Sequence, residues 1–324
     1  MGYEVVCTPQ QCIALEGGGW IKAQECAGKL IRLQPPMFAN HYNVVEWNIL
    51  PGGVKGTVEI NEEWGRLLGY YMGDGSFYGA TLSIACNSTD ADVVTNVEQL
   101  VTRLIGTPRS RVVGTKSGGI EVRIERKELK PLFEALGISY ICEHSNNTKR
   151  AVRVPECIWR SPKSVVKEFL RALFESDGFA GYGFARVSLF SKHHELLRGV
   201  QTLLLGFGVT ARYSSLPAKN GSGFLYQANT LDLRREESCL FGKDIGFISE
   251  RKQDRVLSWI NRAASGIGRN RKPLHLFDRV VSIDDAGQSE VACLTVPAGG
   301  LFDAGGILVC DAYPRVDHNS RDKE

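Results

Sequence analysis

Two aspartates sit where helix electrostatics disfavours them. The stretch "LLGYYMGDGSF" (67–77) reads as an apolar helix ending on Asp74, and "FLRALFESDGF" (169–179) repeats the arrangement with Asp177 before Gly178. The carbonyl end of a helix carries partial negative charge, so an acid there is misplaced, and residues that break a local rule concentrate at functional sites. Gly69 and Gly73 lie four residues apart and share one helical face, and Ala172 and Ser176 occupy the matching places in the second copy. Small residues at that spacing let two helix backbones approach closely. Packed through those faces, the helices would bring Asp74 and Asp177 out side by side. Two carboxylates so placed repel each other unless cations lie between them, and magnesium prefers carboxylate and water oxygens. An ordinary helix end with an exposed acid would explain either copy alone. Two copies with matching small-residue faces favour a site.

The elements that position these acids read as a duplicated α-β-β-α-β-β-α unit. In the first copy the helix 64–77 leads to a strand in "ATLSIACNS", a helix in "DADVVTNVEQLVTRLIG", a hairpin around Gly118-Gly119, and a closing helix in "KELKPLFEALGI". In the second, "SVVKEFLRALFESDGF" leads to "FARVSLFSK", "HHELLRGVQTLLLGFGV", strands in "TARYSSL" and "GFLYQANTLDL", then helices in "EESCLFGKDIGF" and "RKQDRVLSWI". The fold class expected is α+β.

Composition limits the alternatives. The 324 residues, 43% of them hydrophobic, suffice for two or three domains. No run of 18 or more apolar residues suggests a membrane span, and no charged-then-apolar leader is read at the start. Nine cysteines without CxxC spacing fit reduced thiols in a cytoplasmic protein better than zinc or a disulfide framework. The net charge of +3 names no partner, but its distribution says more. Residues 103–130 hold eight Lys/Arg against three acids, and 251–272 hold seven against one. Basic alternating strands suit either a solvated sheet face or a surface that tracks phosphates.

"LLGYYMGDG" (67–75) and "LRALFESDG" (170–178) resemble the two signature helices of a single-chain LAGLIDADG homing endonuclease, and the likeness runs over roughly residues 60–260. It implies two pseudo-symmetric αββαββα repeats whose signature helices form the interface and whose two sheets make a saddle over double-stranded DNA. Carried over, Asp74 and Asp177 are catalytic metal ligands, with Gly73 and Ser176 beside them, for Mg2+ with Mn2+ as a substitute. The metals would activate water for attack on a phosphodiester. The family also uses a lysine from each half: Lys252, in "KQ", matches one, and Lys149 in "NTKRAVRVPECI" is a displaced candidate for the other, because Val152 and Arg153 fill the expected lysine-arginine places. Family logic puts base readers on outward strand positions, here Arg111, Lys116, Arg123, Arg186, Arg212 and Gln227, with Lys192 as a DNA-contacting or surface lysine. The expected product is a double-strand break at a long, nonpalindromic site, made by a monomer acting as a pseudo-dimer.

The flanks carry a second resemblance. "CTPQQCIALEGGGWIKAQE" (7–25) and "VACLTVPAGGLFDAGGILVCDA" (291–312) are similar to blocks of intein splicing (Hint) domains, which implies a mostly-β domain split around the nuclease. Its chemistry is degenerate. The block histidine matches Gln11, a second histidine matches Gly300, and the terminal His-Asn-nucleophile matches Cys310-Asp311-Ala312. The chain starts at Met1, about where the family's first block should already lie behind it, so no N-terminal nucleophile is expected. Splicing needs an acyl shift and asparagine cyclisation, which these residues do not support; "DHNS" (317–320) lies beyond the matching block. Arg269, Arg271 and Lys272 could extend DNA contact, or the remnant is an inert vestige that covers apolar surface. The divisions expected are 1–60 and 262–312 for the Hint-like parts, 61–155 and 156–261 for the repeats, and 313–324 as a tail, with "LPGGVKG" (50–56) as a join. The rival readings are a non-cleaving maturase-type binder on the same scaffold, a regulator built on it and a still-active intein; the paired acids argue against the first, the lack of a readable appended helix-turn-helix against the second and the missing nucleophiles against the third.

Overall fold

A computed structural model describes residues 1–48, 55–105, 111–114, 119–138, 152–219, 223, 225–266, 276–288, 290 and 300–310. The chain divides into two compact units, Met1–Pro36 with Lys272–Glu324, and Met37–Arg271. The first begins with β1 (Cys12–Ala14), β2 (Trp20–Lys22) and β3 (Leu30–Arg32).

The larger unit opens with a hairpin of β4 (Asn43–Asn48) and β5 (Lys55–Ile60), paired antiparallel. Lys55 and Gly56, the end of the 50–56 stretch, therefore belong to β5 and pair with Asn48 and Trp47, and Val45, Trp47 and Val58 pack against the core of this unit. Helix α1 (Glu62–Asp74) starts at Asn61, whose Oδ1 accepts the main-chain N–H groups of Glu63 and Trp64, each at 3.1 Å. That cap satisfies two of the donors a helix start leaves open. Then follow β6 (Gly75–Tyr78), β7 (Thr81–Cys86), α2 (Ala91–Ile105), β8 (Arg111–Gly114), β9 (Ile120–Glu125) and α3 (Leu129–Ala135). After α4 (Glu156–Trp159) comes a second series: α5 (Lys163–Asp177), β10 (Gly178–Ala180), β11 (Arg186–Ser191), α6 (His194–Leu205), β12 (Arg212–Lys219), β13 (Leu225–Arg234), α7 (Arg235–Asp244) and α8 (Glu250–Gly266).

Each series builds one four-stranded antiparallel sheet, and the strand orders correspond: β6-β7-β9-β8 and β10-β11-β13-β12. Alternation along the strands sends Leu82, Ile84, Val122 and Ile124 inward from one sheet, and Val187, Leu189, Leu231 and Leu233 inward from the other. Matching aromatic clusters fill the cores beneath, Tyr71–Phe77–Phe133 and Phe174–Phe241–Phe247, with ring centroids 4.6–5.6 Å apart.

The smaller unit is completed by β14 (Phe277–Arg279), β15 (Leu301–Ala304) and β16 (Ile307–Cys310). Strands from the two ends of the chain pair within it: Cys12 lies opposite Cys310 and Ile13 opposite Val309, and β14 pairs with β3.

Candidate functional site

The two acid-tipped helices pack on each other through their small residues. A methyl group built on Gly65 would stand 2.5 Å from the Val165 carbonyl oxygen, and one on Gly69 would stand 2.9 Å from the Ala172 Cβ and run into the Phe169 carbonyl. One on Gly73 would strike Ser176 and come within 3.8 Å of the Asp177 carboxyl carbon. Contacts that close leave no room for any side chain, which is why glycine recurs every fourth residue of α1. Arg66 and Glu168 add an ion pair across the interface at 2.6 Å, with Arg171 on the far side of the same carboxylate at 3.6 Å. The pairing of Gly69 with Ala172 and of Gly73 with Ser176 follows the spacing in the sequence; Gly65 extends the stripe by one turn.

Each helix passes directly into a strand. Gly75 (φ −89°, ψ 152°) and Gly178 (φ −90°, ψ 150°) hold nearly the same extended conformation. A Cβ at either position would collide with its own helix, at Tyr71 or Phe174. Glycine is thus needed here for close approach rather than for a left-handed turn. The consequence is that both aspartates occupy the last helical position, beside each other and beside the opening strands of both sheets.

Their electrostatics reflect this crowding. Asp74 keeps an exposed surface, yet protein packed against its other side raises its pKa, with the Lys252 ammonium pulling the opposite way. Asp177 is half-buried, and its pKa is pushed up to about 7, first by burial and then by the Asp74 charge, against Lys252. Two oxygen-ligand acids that resist ionisation side by side suit a divalent cation with hard-oxygen preference. Among the described residues no group of three or more His, Cys, Asp or Glu could hold a metal, so the ligands these residues offer an ion here are the two carboxylates and main-chain oxygens, with water completing the set.

Lys252 is close to Asp177, but its ammonium serves the main chain. It donates to the carbonyls of Glu175, of Gly178 at 2.9 Å and of Phe174 at 3.5 Å, and pairs with Glu175 at 3.4 Å. It therefore caps the carbonyl end of α5, where a cation is favoured. Glu175 in turn caps α8: Oε2 accepts from the N–H groups of Ile248 (2.8 Å) and Ser249 (2.9 Å), and Oε1 from the Ser249 hydroxyl (2.8 Å). Burial lowers the Lys252 pKa while Glu175 raises it. The start of α8 is also tied to the loop before α2 and to α2 itself, by Arg251 on Asp90 (2.9 and 2.7 Å) and by the Glu250 N–H on Asp92 (2.8 Å). The sequence reading missed Glu175, Ser249 and Asp90; its one available signal was a second acid two residues before Asp177.

The strand residues fall on two faces. Arg123 and Arg186 lie on the faces turned away from the core, and Arg212 lies opposite Asp232 on the same outward face of the second sheet. Gln227 has the parity of buried Asn229 and Leu231, so it sits on the opposite face from Arg186, exposed only because β12 and β13 run on beyond the core. Lys192 is exposed after β11, its carbonyl accepting from Asn229 at 3.2 Å. The backbone of Arg111 pairs opposite Arg123 in β8. Lys116, Lys149, Arg269, Arg271, Lys272, Asp311, Ala312 and the 317–320 stretch lie outside the described residues. In the smaller unit the Gln11 amide donates to the carbonyl of Cys310.

Residues 164–242 match the LAGLIDADG-like domain. This LAGLIDADG-like segment runs from the start of α5 into α7 and so contains Asp177 and the whole second sheet. Among curated proteins the chain is 32% identical over 161 residues to a DNA polymerase of Thermococcus sp. (strain GE8), covering 48% of this chain and 8% of that protein. It is 26% identical over 243 residues to the replication factor C small subunit of Methanocaldococcus jannaschii, covering 69% of this chain and 12% of that protein. The chain thus spans about a tenth of the length of these relatives. Among solved structures it is similar to the homing endonuclease I-DmoI in complex with DNA and Ca, at TM-score 0.40 and 15% identity over 57% of this chain and 90% of that one. The homing endonuclease I-WcaI bound to its DNA recognition sequence gives TM-score 0.40 and 12% identity, over 61% and 87% of the two chains. No helix among the described residues is long and apolar enough to cross a membrane.

Proposed function

We propose that the chain is a site-specific endodeoxyribonuclease of the LAGLIDADG kind, cutting both strands of a long, nonpalindromic duplex as a monomer with two pseudo-symmetric halves. The observation that carries this reading is the glycine-lined contact of α1 with α5, which leaves no space at Gly73 and sets Asp177 against it, so that acids from two separate halves end together. Asp74 and Asp177 would hold Mg2+, or Mn2+, with main-chain oxygens at Gly73 and Ser176 beside them. Such an ion supplies Lewis acidity and lowers the pKa of a bound water. The chain's own groups do the rest. Both carboxylates must be ionised to bind the ion, and the Lys252 ammonium, by capping α5, holds Asp177 in place. Outward arginines on both sheets would bind the duplex as a saddle.

The flanking unit is read as a degenerate splicing (Hint-like) domain of intein origin. Strand pairing between the chain's two ends supports that reading, as does an amide, Gln11, beside Cys310, since an amide cannot exchange the proton that splicing requires. A cytoplasmic location goes with this function.

The test is incubation of the full chain with a genomic or randomised duplex library, with Mg2+ or with a chelator, followed by sequencing of the new ends. Metal-dependent double-strand cuts at one long site, lost in both Asp74→Asn and Asp177→Asn, are expected. Selective duplex binding with no cuts under any divalent metal would move the protein to a non-cleaving binder.

A further inference from the structure

The centre of each sheet's outward face carries an acid, which is unexpected on a surface that meets phosphates. On the second sheet Asp232 accepts three hydrogen bonds at one oxygen: from Arg186 Nε at 2.9 Å, Arg186 Nη2 at 2.7 Å and the Ser188 hydroxyl at 2.6 Å. On the first sheet Glu121 Oε2 accepts from Arg123 Nε at 2.8 Å and from the Ser83 hydroxyl at 2.6 Å. The two serines are equivalent in register. Gly75 lies opposite Ile84 and Gly178 opposite Leu189, so Ser83 and Ser188 each stand one residue before the partner of the glycine that ends a signature helix. Each half therefore repeats one arrangement of serine, carboxylate and arginine.

The layering is the same in both. The serines are buried, the carboxylates are largely covered (16% exposed for Asp232, 25% for Glu121), and the guanidiniums look outward (44% and 43%). An isolated surface ion pair is mobile and contributes little. Here a buried hydroxyl fixes the acid, and the acid then fixes the guanidinium through Nε. Among the described residues, neither terminal nitrogen of Arg123, and neither Nη1 nor the second N–H of Arg186 Nη2, is given a hydrogen-bond partner, which leaves them for something outside. A guanidinium presenting that edge matches guanine O6 and N7 in the major groove. A face that only tracked phosphates would gain nothing from acids at its centre. The arrangements also differ: Arg123 lies opposite Ser83 itself, whereas Arg186 lies on the same strand two residues before Ser188. Glu121 lies opposite Ala85, whereas Asp232 lies opposite Ser188, so equivalent serines hold acids and arginines that have exchanged places, which suits a target whose halves differ.

We infer that Asp232 and Glu121 are positioning residues for base recognition, each holding one arginine, Arg186 and Arg123 respectively, in the orientation that reads a guanine in its own half of the target. This rests on the duplex-binding reading above. It extends to acids and serines that composition alone would count against DNA contact.

The test selects bound duplexes from a randomised library using the full chain without added divalent metal, so that cleavage plays no part. Wild type is compared with Asp232→Asn, Glu121→Gln, Ser188→Ala and Arg186→Gln, with circular dichroism confirming that each variant folds. A wild-type consensus is expected to contain a guanine in each half. Asp232→Asn and Arg186→Gln should lose preference at the same one or two adjacent positions in one half, by roughly tenfold in base discrimination. Glu121→Gln should do so in the other half, and Ser188→Ala should give a weaker version of Asp232→Asn. A wild-type consensus left intact by the carboxylate variants, or eroded evenly along its length, would overturn the positioning role while leaving the nuclease reading standing. Duplex binding by wild type with no base preference would overturn both.

Discussion

The ends of α1 and α5 look alike and are held differently. Both stop on an aspartate, turn through a glycine of nearly identical conformation and rest on an aromatic cluster. Two residues before the aspartate, however, α1 has half-buried Met72 where α5 has buried Glu175. Glu175 reaches across to cap α8, and α8 returns Lys252 to cap α5. The α5 end is thus clamped by a reciprocal pair of helix caps. The α1 end leans on α5 through Gly73. One half provides the fixed reference, and the other is registered against it by steric fit.

Disrupting the steric fit should have the largest effect. Gly69→Leu forces a side chain into the main chain of α5 and is expected to cost about 3 kcal/mol or more of unfolding free energy, read by denaturant titration. The clamp comes next. Glu175→Ala strips three hydrogen bonds from the start of α8 and leaves Lys252 without its carboxylate, for an expected loss of about 3 kcal/mol. Met72→Ala at the equivalent place should cost about 1 kcal/mol, because its side chain is only partly covered. Equal losses in those two variants would erase the distinction between the ends.

A smaller effect is in pH. The folded pKa of Asp177, about 7, lies above its ordinary value of 3.8. The folded state therefore favours the protonated form, and its contribution to stability is fully present below about pH 4 and lost as pH rises through 7. Metal needs the carboxylate, so added Mn2+ should raise the melting temperature more at pH 8 than at pH 6. A metal-induced shift independent of pH over that interval would mean that the ion binds elsewhere.

Much of this was legible in the sequence, for physical reasons that name its limits. The acid-tipped helices and their partner faces could be read because a four-residue spacing of Gly69 and Gly73 has one geometric meaning. The strands could be read where alternation persists, as from Val187 to Leu189. Gln227 shows where that signal fails: past the edge of the core both strand faces are wet, and pattern no longer distinguishes them. The Glu175–Lys252 clamp joins residues 77 apart, and nothing local in either segment specifies the other. Lys252 itself was found, but as a candidate catalytic group; its ammonium is committed to three carbonyls of the α5 end. The β4–β5 hairpin was hidden because the Pro- and Gly-rich sequence between its strands reads like a linker.

The most direct measurement is the carboxyl titration of Asp177 by carbon-13 NMR, in wild type and in Asp74→Asn, without metal. If the two helices bring these acids into one site, Asp177 titrates near 7 in wild type and moves clearly downward when Asp74 is neutralised, since the Asp74 charge is one of the causes holding it up. A titration that does not respond to Asp74 would mean that the two carboxylates do not share a site, and the metal-binding pair would fail with it.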